Sequence, residues 1–159
     1  MQNPFSEAAA EIAGRIDEIK NVQDAARAAV QAEKDAAEAS FKRAVALFDR
    51  MKERVQEYVR LTNEALGRDD IVVTTKTDQV KKGNAGVITV SLNNGNNLVK
   101  SFRFVGNSNF KAYVHDVGEP KYGVFDLTEV DSLPYQEIFG RFLSEASVLL
   151  EKRAAEPSA

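Results

Sequence analysis

Apolar side chains recur at every third or fourth position between residues 6 and 66, and after Gly67 they alternate with polar ones. The first spacing is that of a helix face and the second that of strands. Within 6–66 there is one glycine, Gly14, and no proline, and Ala, Glu, Lys, Arg and Gln dominate. All five are strong helix formers. Ser6 followed by Glu7 predicts an N-cap with an acidic first turn, and Gly67 predicts the C-terminal stop. An unbroken helix of this span would be roughly 90 Å long at 1.5 Å per residue. A small domain cannot bury such a rod, so the pattern predicts pairing.

The register of the stripe says how. Ile12, Ile16, Ile19, Ala26 and Val30 step by threes, fours and sevens, with Gln23 and Glu33 as polar interruptions. Phe41, Ala44, Phe48, Met51, Val55, Tyr58, Thr62 and Ala65 then alternate strictly by three and four. The two frames join at Ala37 through consecutive four-residue steps, a stutter that unwinds a supercoil locally. Sustained spacing of this kind with charged flanks is the signature of a coiled coil. For residues 41–66 alone a second reading is open, in which the stripe packs on the sheet of its own chain. For the whole span the expectation is a homodimer whose seam contains Ile12, Ile16, Ile19, Phe41, Phe48, Met51, Val55 and Tyr58.

Beyond Gly67, the runs 71–75, 86–92, 98–105 and 110–117 are β-rich and separated by Asn/Gly loops, with a short fifth run at 123–127. They predict an antiparallel meander. Ser132 reads as the N-cap of a last helix with Pro134 in its first turn. Ile138, Phe139, Phe142, Leu143, Ala146, Leu149 and Leu150 give that helix one apolar face. Folding the strands about "NNGNN" and "GNSN" sets Ile88 opposite Phe102, Leu92 opposite Leu98 and Phe104 opposite Phe110. One face then gathers Ile88, Val90, Leu92, Phe102, Phe104, Phe110, Ala112 and Val114 as the core. The other gathers Thr89, Ser91, Ser101, Arg103, Lys111, Tyr113 and His115. Arg103, Lys111, Tyr113 and His115 are the candidate partner-binding residues, since Tyr, Arg and His are common in interfaces.

Composition narrows the function. The net charge of −3 argues against bulk attraction to nucleic acid or acidic membranes. Only the segment 68–118 is basic, with seven Lys and Arg against four Asp and Glu. It includes "KSFRFV", which approaches the aromatic strand of RNA-binding sheets. Ser101, Arg103 and Asn107 depart from that pattern, and Phe102 and Phe104 are needed as core. The absence of cysteine removes disulfides, thiolate metal sites and Cys nucleophiles together. His115, the one histidine, has no second ligand residue for a metal, and neighbouring Asp116 points to the other face of the strand. Gly83 and Gly86 in "KKGNAG" lack the Gly-Lys-Ser/Thr ending of a phosphate loop and read as a turn. No apolar run reaches the ~18 residues of a membrane span, and there is no signal-peptide pattern.

The sequence therefore predicts an α+β protein with a long N-terminal helix, a meander of four or five strands and a C-terminal helix on one sheet face. Three segments are expected: a helical oligomerisation segment 1–67, a head 68–153 and a disordered tail 154–159. The expected function is a non-enzymatic, cytoplasmic, self-associating adaptor that binds a protein partner, without cofactor, metal or catalytic residues. A nucleic-acid binder using Lys100, Arg103 and Lys111, and an assembly or secretion chaperone, are the alternatives.

Overall fold

The computed structural model describes residues 4–78, 83–116 and 119–155. The order of elements is α1 (Pro4–Leu66), β1 (Ile71–Asp78), β2 (Asn84–Asn94), β3 (Asn97–Asn107), β4 (Lys111–Asp116), β5 (Glu119–Asp126), a 3-10 turn (Leu127–Ser132) and α2 (Tyr135–Ala155). The five strands form one antiparallel sheet in sequential order. The fold is α+β, as the change of period at Gly67 predicts.

The chain divides into two compact units, Met1–Ser40 and Phe41–Ala159. In the first, every described residue is exposed, including Ile12, Ile16 and Ile19 at 57–59%. The second is the folded head, and it takes in residues 41–66 of α1. Ala44, Phe48, Met51, Val55 and Thr62 of this stretch are buried. The compact boundary thus falls at 40/41 and not at Gly67. From Phe41 onward the helix carries side chains large enough to build a core, whereas the preceding turns are mostly alanine and charge. Gly67 still ends the helix, with φ +59° and its N–H donating to the Asn63 carbonyl at 3.0 Å.

One sheet face and two helical segments make the core. Val73, Ile88, Val90, Leu92, Phe102, Phe104, Ala112 and Val114 meet Phe48, Met51 and Val55 of α1 and Ile138, Phe139, Phe142 and Ala146 of α2. Phe102 packs 4.6 Å from Phe142 between ring centroids, and Tyr58 stacks on Tyr135 at 5.4 Å. Sequence pattern placed α2 on this face and left two readings open for residues 41–66; the second half of α1 shares the face with α2. Phe48 reaches the sheet because Gly86 and Gly106 are cross-strand partners, and a Cβ on either would crowd its ring. Gly86 is therefore a packing glycine inside β2, while Gly83, with φ +88°, is the turn.

The strand register differs from the expectation by an even number of residues. Ile88 pairs with Phe104 and Val90 with Phe102, and Phe104 pairs with Val114. The β2–β3 loop is a two-residue turn at Gly95 and Asn96, and an irregularity beyond Leu92 leaves Val99 as an extra, buried residue. An even slip keeps every side chain on its face, so the expected core survives. Phe110 is the exception. It sits in the turn before β4 at φ 59°, under the Arg43 guanidinium at 5.4 Å, and does not pair with Phe104. The 3-10 turn also displaces the start of α2 to Tyr135, so Ser132 is no N-cap. Ala154 and Ala155 continue α2; residues 156–159 of the expected tail, and Val117 of the fourth expected strand, lie outside the described residues.

Candidate functional site

Two helical segments cover one face of the sheet, and among the described residues nothing covers the other. Strand alternation fixes what stands on it. From the pairings, Lys76, Thr89, Arg103 and His115 form one row across β1–β4. The next row toward the other end of the strands is Asp78, Val87, Val105, Tyr113 and Val124, across all five strands. Lys111, paired with Asp126, follows beyond it. The open face is therefore banded. An apolar line of three valines and a tyrosine runs between cations.

Arg103 and Lys111 are exposed, whereas Tyr113 and His115 are half-buried with their rings stacked 5.8 Å apart. All four sequence candidates share this face, and Arg103 and His115 are direct cross-strand partners. The His115 Nδ1 atom is enclosed and has no hydrogen-bond partner among the described residues. Neither Lys76 nor Arg103 forms an ion pair among the described residues, whereas Arg50, Arg54, Arg60, Arg68 and Arg141 each do. Asp126 is occupied, accepting from the Thr128 N–H and hydroxyl at 2.9 and 2.7 Å. The side-chain and backbone bonds from Thr128 hold its carboxyl below the usual carboxylate range.

Lys76, Val87, Val105 and Val124 were not singled out from sequence. The signal was the parity of "IVVTTKTD": once β1 extends to Asp78, positions 72, 74, 76 and 78 share the outer face. Lys100 is the opposite error. Two residues before Phe102 in β3, it pairs with Leu92 and shares the core side by strand alternation, with its side chain 10% exposed. There it bonds Asp116 at 2.8 Å and Glu145 at 3.2 Å. It is not part of a basic outer face.

This second cluster is structural in character. Glu145 of α2 also receives Lys121 at 2.9 Å, the Tyr122 hydroxyl at 3.1 Å and Arg141 at 3.1 Å. Burial opposes the ionisation of Glu145, but hydrogen bonds from Lys121, Lys100 and Tyr122 outweigh it and hold the carboxyl at about 2. Burial, together with the bond to Glu145, raises the Tyr122 phenol above its ordinary value. Every member is satisfied by another, so the cluster clamps α2 to β3, β4 and β5 and offers no free acid or base.

The candidate seam residues divide between the two units. Ile12, Ile16 and Ile19 are exposed, and Phe41 is 37% exposed. Phe48, Met51 and Val55 are 3%, 0% and 0% exposed against the sheet of their own chain, and Tyr58 is held by Tyr135 and Phe139. A seam through these four is already filled from within. A shallow groove of about 490 Å³ between the 41–66 stretch and α2, lined by Leu61, Ala65, Gly140 and Leu143 among others, has no converging charged groups. Among the described residues no three His, Cys, Asp or Glu side chains gather as a metal site, and no helix is long and apolar enough to cross a membrane.

Comparison with family models, with curated proteins and with solved structures gives no match.

Proposed function

We propose that this protein is a non-enzymatic interaction protein that self-associates through the helix of its first unit and binds a partner protein with the open sheet face of its head. One observation carries the reading: Ile12, Ile16, Ile19, Val22 and Val30 are 52–69% exposed on the stretch of α1 up to Ser40, in which no described residue is buried. Isolated helices draw most of their stability from packing an apolar face, and a three-four stripe of this kind is what a second helix covers. The seam is confined to residues before Ser40, because the stripe beyond Phe41 is spent on the head. Its occupant is a second copy of the chain.

Light scattering of the full chain tests this, with an expected mass of about twice 17.5 kDa or a higher multiple. Ile12→Asp combined with Ile19→Asp should return the chain to monomer with the head's melting temperature unchanged, since both residues lie outside the head. A monomeric mass for the unmodified chain at micromolar concentration overturns the reading.

A further inference from the structure

We infer that the open sheet face is the seat of an acidic amphipathic helix from a partner protein, laid across the strands along the Val87–Val105–Tyr113–Val124 row. The inference deepens the partner-binding half of the proposed function and is independent of the self-associating half.

The register supplies the geometry. Those four residues stand on four adjacent strands, so at about 4.8 Å per strand the apolar line is roughly 14 Å long. That is close to three turns of helix at 5.4 Å per turn. The cationic row lies two residues along each strand, about 6.6 Å to one side. This is the lateral offset between a helix's apolar stripe and its flanking positions. Within that row Lys76 and Arg103 stand two strands apart, about 9.6 Å. Carboxylates seven residues apart on a helix are about 10.5 Å apart and would reach both. His115 is the next cross-strand neighbour of Arg103 and continues the row onto β4.

Charge and availability select an acidic occupant. Among the described residues Lys76 and Arg103 form no ion pair, with Lys111 on the other side of the apolar row; of the two acids of this face, Asp126 is taken up by its bonds to Thr128 and Asp78 stands at the end of the apolar row. A partner with carboxylates along one flank neutralises both cations, while a basic flank would meet like charge. Nucleic acid fits less well. The face is banded with valine, its one tyrosine ring is stacked on His115, and Lys100, which would have widened the positive area, is committed to Asp116 and Glu145. Addition of a strand at the sheet edge is also disfavoured beside β1, where the Asn63 amide bonds both backbone groups of Val73.

The test uses the full chain and a labelled three-heptad peptide with Leu at a and d and Glu at e and g, followed by fluorescence anisotropy. Its counterparts carry Lys at e and g, or are a labelled oligo-dT. Saturable binding of the Glu peptide, absent with the Lys peptide, is expected. Arg103→Glu and Lys76→Glu should each weaken it by about tenfold, as loss of a charge partner does, without moving the melting temperature. The Ile12→Asp, Ile19→Asp variant should bind the peptide as the unmodified chain does. This arm separates the two readings: a chain that proves monomeric but still binds the peptide through Arg103 loses the self-association and keeps this inference. Failure of the Glu peptide to bind, binding indifferent to Arg103→Glu, loss of binding in the Ile12/Ile19 variant, or oligo-dT that displaces the peptide would each overturn it.

Discussion

The side-chain amide of Asn63 makes both hydrogen bonds of a strand neighbour to Val73, accepting from its N–H at 2.8 Å and donating to its carbonyl at 2.9 Å. Val73 lies on β1, an edge strand whose other side is paired with β2 through Leu92. An unpaired edge is where a sheet recruits foreign strands. One residue on the last turns of α1 both satisfies this edge and fixes where the sheet begins.

Asn63→Leu should therefore cost more than its half-buried position suggests. It leaves a backbone donor and acceptor of a buried valine unpaired, worth about 1–3 kcal/mol for each buried group lost. Urea unfolding of the head should show the drop, and Asn63→Asp, which keeps the acceptor alone, should fall between the two. Equal stability of Asn63→Leu and the unmodified protein would show that water serves the edge equally well.

Phe48 and the Gly86–Gly106 pair form a second contact with a sharp signature. A Cβ at Gly86 would overlap the Phe48 ring, and one at Gly106 would come within 3.0 Å of it. Gly86→Ala should destabilise the head by about 1–3 kcal/mol through overpacking. Combining it with Phe48→Leu should cost less than the sum of the two single changes, because the smaller side chain vacates the space. Additivity in that cycle, measured by chemical denaturation, would mean that α1 shifts bodily to accommodate the methyl group.

The broad architecture was legible because it rests on local signals. The change of period at Gly67, the Asn/Gly turns and the even-numbered slips of register all preserve which side chains face inward. What escaped depends on contacts between distant elements. Nothing in "NNLVKS" distinguishes an extra residue at Val99 from a longer loop; and although Lys100 has the parity of Phe102, only the packing brings Asp116 and Glu145 to it on that side. The stripe from Phe41 to Ala65 has the same spacing whether another chain or its own sheet covers it, and only the packing decides. On the candidate face, Arg103, Lys111, Tyr113 and His115 followed from alternation in two strands; Val87 and Val105 have the same parity as Thr89 and Arg103 and were passed over as apolar, while Lys76 and Val124 needed the full register.

The Glu145 cluster should make the head sensitive to acid. The Glu145 carboxyl is held at about 2 against an ordinary value of 4.5, and Asp116 is lowered as well, chiefly by its bond from Lys100. A depressed folded value means that the contribution is complete above the unfolded value near 4.5 and is lost as pH falls from there toward 2. For Glu145, with its side chain 25% exposed, the contribution is on the order of 2–3 kcal/mol. Urea midpoints taken between pH 7 and pH 3 should decline through this window. Glu145→Gln should be less stable at pH 7 and show a shallower decline, because one of the groups that titrates is gone. An identical acid limb in the variant would assign the effect to other carboxylates.

The two sides of β3 should answer substitution in opposite ways. Phe102 is 1% exposed and packs against Phe104, Tyr122, Phe139 and Phe142, whereas Arg103, the next residue, is exposed on the open face. Phe102→Ala should destabilise the head by about 3–5 kcal/mol, as truncation of a large core aromatic does. Arg103→Ala should stay within about 0.5 kcal/mol of the unmodified protein, since it removes no contact that the fold uses. Tyr113→Ala should lie between them, because its half-buried ring loses the stack on His115 but vacates no core. Thermal melts of the three variants check the order, and amide exchange locates it: Phe102→Ala should raise exchange across β2, β3 and α2 together, while Arg103→Ala should leave all three protected. A stable Phe102→Ala beside an unfolded Arg103→Ala would reverse the faces of the sheet, and the valine row would then be core.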